Sequence, residues 1–333
     1  MKKNIFTIIA IAVLLITANM SCNKNNRVID VVFPKTFITL QVGNAATIPV
    51  IVIPPDATDK TLTWSSNNPS VATVNHNGKV TALAEGEAII TATTNDGNFK
   101  ARCIVKVIDL SEIEMVFVEG GTFIMGCTDA HYCFNEELPA HQVTLSNFHI
   151  SKHLVTQKLW TAVMGYNPSY FKGENLPVEQ VSWYDAQNFI NKLNEITGKN
   201  YRLPTEAQWE FAARGGNKSG GYEYSGSNDI GLVAWHEHNS NRSTQPVGTK
   251  APNELGIYDM SGNVYEWVND WFEEYTDSPQ TDPQGPYSGT YKVARGGGWF
   301  SVTYACRTTF RIYGSFYTTE NHLGFRLALP VLQ

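Results

Sequence analysis

The sequence predicts a two-domain protein: an all-β sandwich toward the N-terminus, then an α+β domain with much irregular chain. Three observations predict this. Between Ile29 and Val107, short β-branched runs alternate with turn residues at the spacing of a sandwich. From about Glu112 onward, helical periodicity with capping residues recurs, followed by long stretches of Gly, Asn, Ser and Asp with isolated aromatics. A length of 333 residues, 42% hydrophobic and 17% charged, suits two domains that each bury a core.

Ahead of both domains, "MKKNIFTIIAIAVLLITANMSC" sets two lysines before an apolar run from Ile5 to Ala18. A membrane-spanning helix needs about 20 apolar residues, so this run reads as a secretory signal over residues 1–21. Cys22, preceded by Ser21 and followed by "NKNN", resembles the acylation site of a bacterial lipoprotein, although Asn19 stands where an apolar residue is usual. That resemblance implies lipidation of Cys22, a tether over 22–28, and anchoring to the bacterial outer membrane, periplasmic or surface-facing. More than one acyl chain makes such an anchor stable. The formal net charge is −6 and no Lys/Arg cluster appears, which argues against nucleic acid as a partner.

The sandwich is expected over residues 29–108. Its runs include "FITLQVGN", "TIPVIVIPPDATDK" and "ARCIVKV", and "NHNGKV" marks a hairpin because Asn and Gly tolerate positive φ. At "LTWSSNNPSVATV" and "NGKVTALAEGEAIITATT" the segment resembles the group-2 bacterial immunoglobulin-like domain, commonly a spacer or adhesion module. Trp64 and Cys103 are read as core residues.

"DLSEIEM" is the linker, and the second domain is expected over 112–330. Strands are predicted around "EMVFVEGGTFIMG" and "HQVTLSNFHISKHLV". Thr156 caps a helix in "TQKLWTAVMG". In "VSWYDAQNFINKLNEITG", Ser182 caps, Asp185 sits in the first turn, Trp183, Ala186, Phe189, Ile190 and Leu193 share one face, and Gly198 stops the helix. In "YRLPTEAQWEFAARGG", Thr205 and Gln208 form a capping box, Trp209 and Ala212 face inward, and Gly215 terminates. "CTDAHYC" closes a short loop of turn formers, so a Cys127–Cys133 disulfide is expected in an exported chain. His236 and His238, two apart, would share one face of a strand, but no further residue completes a zinc site and they read as exposed polar residues.

Taken in order, "EGGTFIMG", "VEQVSWYDAQNF", "YRLPTEAQWEFAARGG", "GIYDMSGNVYEWVNDW", "RGGGWF" and "HLGFRLAL" resemble the formylglycine-generating enzyme family, also called the sulfatase-modifying factor domain. The resemblance implies a C-type-lectin-like fold with bound calcium. Some members oxidise a peptide cysteine to formylglycine with copper(I) held by two thiolates. Others work in ergothioneine or siderophore pathways, or are surface and motility lipoproteins.

Copper(I) is soft and needs sulfur donors. Aligned on the oxidase pattern, "GGGWFSVTYAC" puts the second ligand cysteine at Cys306 but Ser301 in place of the first, with Gly298 and Val302 replacing a serine and a histidine. Copper-dependent oxidation is therefore disfavoured. Cys306 is kept as a candidate nucleophile without a partner thiol, whose pKa Arg307 and Arg311 could lower, against a reading as a buried structural residue. The resemblance further implies calcium at Asp259 and Glu266 through side chains and at Gly262 and Val264 through carbonyls, oxygen donors that suit this ion. For a second calcium loop, Asn239 and Asn241 are weaker candidates. Trp299, Tyr313 and Tyr317, with Tyr291 and Phe316, are candidates for binding a peptide or sugar.

The functional expectation is an envelope lipoprotein whose immunoglobulin-like stalk presents a non-catalytic domain that binds a protein or glycan. Two alternatives stand beside it: an oxidoreductase of the family, and a structural subunit of an envelope or motility assembly.

Overall fold

The structure, a computed structural model, describes residues 26–128 and 133–331. The expected signal segment and Cys22 lie outside the described residues. Among the described residues no helix is long and apolar enough to cross a membrane. The chain divides into two compact units, 1–108 and 109–333.

The first unit is all β. Its strands are β1 (Asp30–Val32), β2 (Phe37–Gln41), β3 (Ala45–Thr47), β4 (Ile51–Ile53), β5 (Leu62–Ser66), β6 (Ala72–Val74), β7 (Lys79–Ala82), β8 (Gly86–Thr94) and β9 (Lys100–Ile108). They form sheets ordered β2-β9-β8-β5, β3-β7-β6 and β1-β4. The period of two sets the inside: Ala88, Ile90 and Ala92 of β8 and Ala101, Cys103, Val105 and Val107 of β9 are buried, and Trp64 packs against them half-buried. Each fully buried Ile or Val contributes about 1.5–3 kcal/mol. At the β6–β7 hairpin Gly78 takes φ +74°, and a Cβ there would meet the Trp64 ring at 2.6 Å. Asn75 closes this turn through its side chain, accepting the N–H groups of Asn77 and Lys79 at 3.0 Å each.

The second unit is α+β. Its strands are β10 (Met115–Val118), β11 (Gly121–Met125), β12 (His141–Leu145), β13 (Phe148–Ser151), β14 (Tyr265–Trp271), β15 (Gln280–Thr281), β16 (Lys292–Arg295), β17 (Arg311–Gly314), β18 (Leu323–Phe325) and β19 (Ala328–Pro330). The sheets run β10-β13-β19, β11-β12-β15 and β17-β16-β14-β18, with β14–β18 and β12–β15 parallel.

Helices α1 (Gln157–Met164), α2 (Trp183–Thr197), α3 (Glu206–Ala213) and the short α4 (Ile230–Val233) sit among them. Thr156, Ser182 and Thr205 each accept an N–H of the first turn, and α2 and α3 carry full capping boxes. Gly165 and Gly198 end α1 and α2 in the left-handed conformation. Trp160 of α1 stacks on Phe189 of α2 at 5.3 Å, with Phe325 of β18 edge-on to both.

All eight residues of α3 are buried, including Glu206, Gln208 and Glu210. Trp209 and Ala212 face inward as expected, and the other six residues are buried with them, so the helix runs through the core. Apart from α4 and a 3₁₀ turn at Gly216–Lys218, the long segment between α3 and β14 is held by side chains. Asn253, for example, accepts from the N–H groups of Leu255 and Ile257 and donates to the Ala212 carbonyl at 2.8 Å.

Candidate functional site

The two glycines after β16 deliver the chain to Ser301 and Cys306. Gly296 and Gly297 have φ of +98° and +77°. A Cβ on Gly297 would lie 2.7 Å from the Cys306 Sγ, so only glycine allows this approach. Ser301 is buried and closes a tight turn with Gly298. Its N–H donates to the Gly298 carbonyl at 2.9 Å, and its Oγ accepts the Gly298 N–H at 2.9 Å. The same hydroxyl reaches the Tyr265 hydroxyl at 3.4 Å.

Cys306 ends the 3₁₀ turn Thr303–Cys306, has no exposed surface, and packs with Tyr224, Val233 and Ile230. Burial, with the Glu237 carboxylate adding to it, pushes its thiol up to about 12. Burial also pushes the Tyr265 phenol up to about 12, with Cys306 contributing. The structure thus gathers Ser301, Cys306 and Tyr265 around one spot, all three protonated at neutral pH.

The arginines beside Cys306 in sequence do not activate it, which corrects that expectation. Arg307 turns to Glu137 at 2.8 Å and to the Cys127 sulfur at 3.7 Å. Arg311 forks onto Glu206 at 2.8 and 2.7 Å. A carboxylate at hydrogen-bonding distance wins the guanidinium over a neutral thiol. Cys127 and Cys133 are joined by a disulfide with Cα atoms 5.6 Å apart, and Cys103 and Cys306 are free and buried.

Around Asp259 the structure assembles a buried acidic centre. Asp259 adopts φ +57° and its carboxylate accepts the Gly248 N–H at 2.7 Å. Burial pushes it up to about 6, and Glu266 adds to the shift. Glu266 has no exposed surface and is gripped by Arg326 through two bonds, 2.6 and 2.9 Å. Arg326 opposes the Asp259 shift through space, while its hydrogen bonds go to Glu266 and to the carbonyls of Ser151 and Tyr258. The carbonyls of Gly262 and Val264 are engaged by no backbone N–H in the turns and loops among the described residues. Carboxylate and carbonyl oxygens are the donor types a hard dication takes, and of the two carboxylates Glu266 already has both oxygens engaged by Arg326.

His236 and His238 lie in a turn, which corrects the strand expected there. Asn239 causes it: its Oδ1 accepts the His236 N–H at 2.8 Å and its Nδ2 donates to the Ala234 carbonyl at 2.9 Å. His236 is also buried, contrary to its reading as an exposed polar residue, while His238 is exposed, and their rings meet edge-on at 5.6 Å. Among the described residues no group of three or more His, Cys, Asp or Glu is arranged to hold a metal ion.

The aromatic candidates divide. Tyr313, 45% exposed, packs on Phe272 and Tyr291; Tyr317, 68% exposed, packs on Phe316 and near Tyr184. Trp299 is half-buried, donates its indole N–H to the Asn321 carbonyl at 3.0 Å, and contacts Phe171 and Phe300. No ring contact links it to either tyrosine among the described residues.

Sequence reasoning missed the charged network that fixes this unit. Arg295, with no exposed surface, pairs with Glu210 and lies 3.4 Å from Glu206; Asp270 accepts the Glu206 N–H at 2.9 Å. The available signal was two glutamates one turn apart on α3, matched by Arg295 in "ARGGG" and Arg311 in "TTFRI".

Comparison with known proteins agrees with this architecture. Residues 29–105 match the group-2 bacterial Ig-like domain. Over 239 residues the chain is 38% identical to the chaperone protein LppX of Paenibacillus barcinonensis, covering 56% of this chain and 79% of that one. It is 35% identical over 195 residues to a formylglycine-generating enzyme of Thermomonospora curvata, covering 52% of this chain and 62%, less than two thirds, of that one. The solved structure of Treponema denticola variable protein 1 superposes with a TM-score of 0.59 at 33% identity, over 65% of this chain and 95% of that one. With residues 106–331 matching the sulfatase-modifying factor enzyme 1-like domain on a C-type-lectin-like fold, the chain belongs to that family.

Proposed function

We propose that this protein is a lipid-anchored envelope protein, attached through Cys22, whose Ig-like domain presents a sulfatase-modifying-factor-like domain that binds a partner and performs no copper oxidation. One observation carries the reading. Where two thiolates are needed, Ser301 offers a hydroxyl already fixed in a turn and Cys306 a sealed, protonated thiol. Oxygen of this kind is a hard donor and does not substitute for sulfur toward copper(I). The residues present do not fit that ion.

The partner is a protein or a glycan. The exposed tyrosines Tyr313 and Tyr317 offer an apolar face with a polar tip, which suits either. Similarity to a protein named as a chaperone supports the protein. Calcium is held in this reading by Asp259, Glu266 and the carbonyls of Gly262 and Val264, where it supplies the positive charge that one guanidinium cannot.

The test is titration of the purified chain with copper(I), followed by incubation with oxygen and a cysteine-containing sulfatase peptide. Expected are weak copper binding and no formylglycine in the parent, and at least tenfold tighter copper binding in Ser301→Cys. Firm copper binding and formylglycine formation by the parent would overturn the reading.

A further inference from the structure

A second cavity, separate from Ser301 and Cys306, opens between α3, the end of β14 and the loop before β16. It encloses about 310 Å³, within the range of small-ligand pockets. Asp270, only 5% exposed, forms part of its floor. One Asp270 oxygen accepts the Glu206 N–H at 2.9 Å; the other accepts no hydrogen bond among the described residues. That second oxygen is not sealed from the cavity, so a donor that arrives there can reach it.

The cations nearby are committed elsewhere. Arg311 spends its nitrogens on Glu206 and on the carbonyls of Glu136 and Glu273. Lys292 donates to the Asn269 carbonyl at 2.7 Å between the rings of Trp183 and Trp271, 4.0 and 3.9 Å from their centroids. The cavity is also lined by Glu273 and Glu274, and by Trp271, Pro283 and Pro286 as apolar wall. The absence of a three-ligand metal group among the described residues turns the argument from a metal ion to an organic cation.

We propose that this cavity binds a primary alkylammonium, its nitrogen donating to the second oxygen of Asp270 and its carbon stem lying against Trp271 and the prolines. A lysine side chain of a partner protein and a free diamine share this chemistry. The acidic lining attracts such a ligand and the apolar wall accepts its methylenes.

Burial, with Glu206 adding to it, pushes Asp270 up to about 7, while Arg311 and Lys292 oppose the shift. The titratable and charged groups that line the cavity or act on Asp270 are Glu206 from α3, Arg311 from β17, Lys292 from β16, Arg202 from the segment before α3, His141 from β12, and Glu273, Glu274 and Tyr275 from the loop after β14. The ionised fraction of Asp270 rises about tenfold from pH 6 to pH 8, and an alkylammonium stays charged throughout. Binding should tighten by about the same factor.

The experiment titrates the full chain with 1,5-diaminopentane, N-acetyl-lysine amide and the uncharged 1,5-pentanediol at pH 6 and pH 8, followed by calorimetry. Expected are saturable binding of the amines, at least tenfold weaker binding of the diol, about tenfold tighter amine binding at pH 8, and at least tenfold loss in Asp270→Asn. Preference for N-acetyl-lysine amide supports a protein lysine as the source, and preference for the diamine supports a free amine. Absence of amine binding at 10 mM, equal binding of the diol, or a flat pH profile would overturn the proposal. If Asp270→Asn does not fold, the combined Glu273→Gln and Glu274→Gln variant is expected to weaken amine binding about threefold at low salt, and unchanged affinity there counts against it.

Discussion

Cys306 sets how much chemistry this domain can do, and its ionisation can be measured directly. Folding moves the thiol from 9.0 to about 12, so ionising it costs about 4 kcal/mol more than ionising an open cysteine, at about 1.4 kcal/mol per pKa unit. At pH 8 an open thiol of the ordinary kind is roughly 10% thiolate, whereas Cys306 is roughly 0.01%. Alkylation proceeds through thiolate, and the side chain has no exposed surface, so the difference in thiolate population is a lower bound on the protection. Iodoacetamide labelling at pH 8, read by mass spectrometry at Cys306 in the folded chain and in urea, should show at least a thousandfold slowing on folding. A folded rate within tenfold of the urea rate would mean an accessible, ionisable sulfur and would refute the argument that Cys306 is inert.

Two further predictions concern the acidic centre. Glu266→Gln breaks a fully buried ion pair with Arg326 and should cost about 3–5 kcal/mol, lowering the melting temperature by about 10 °C in calorimetry; a near-parental value would mean the pair contributes little. Calcium at a hundredfold excess over its dissociation constant should stabilise the parent by about 2.7 kcal/mol, and Asp259→Asn should abolish the response. A melting temperature indifferent to calcium and to chelator in the parent would remove calcium from this site.

What was legible in the sequence is what short-range chemistry decides. Thr156, Ser182 and Thr205 cap the helices they precede, because a cap needs only a side chain and an N–H three residues on. The β-hairpin at Gly78 was legible for the same reason. Much of what was not legible depends on partners far along the chain, and the rest on side chains that capture a nearby backbone group. Glu210 and Glu206 reveal their burial only once Arg295 and Arg311, 85 and 105 positions distant, are brought against them. His236 and His238 alternate like strand residues, but the Asn239 side chain captures the His236 N–H and bends the chain into a turn. Trp299 and Tyr313 lie in one aromatic-rich stretch of sequence and belong to different ring clusters in space, which no spacing reveals.

The exchange of sulfur for oxygen at Ser301 has different consequences for the fold and for the chemistry. A hydroxyl is nearly the size of a thiol and the better hydrogen-bond acceptor, so at this position it accepts the Gly298 N–H and holds the turn. The large stabilising features of the unit do not pass through it: the pairs Arg295–Glu210, Arg311–Glu206 and Arg326–Glu266 and the stacked Trp160 and Phe189 are made by other residues. A soft-metal site, by contrast, depends on both of its sulfurs. Replacing one thiol can therefore abolish metal chemistry while leaving the scaffold at full strength, which is the condition a binding module built on this fold requires.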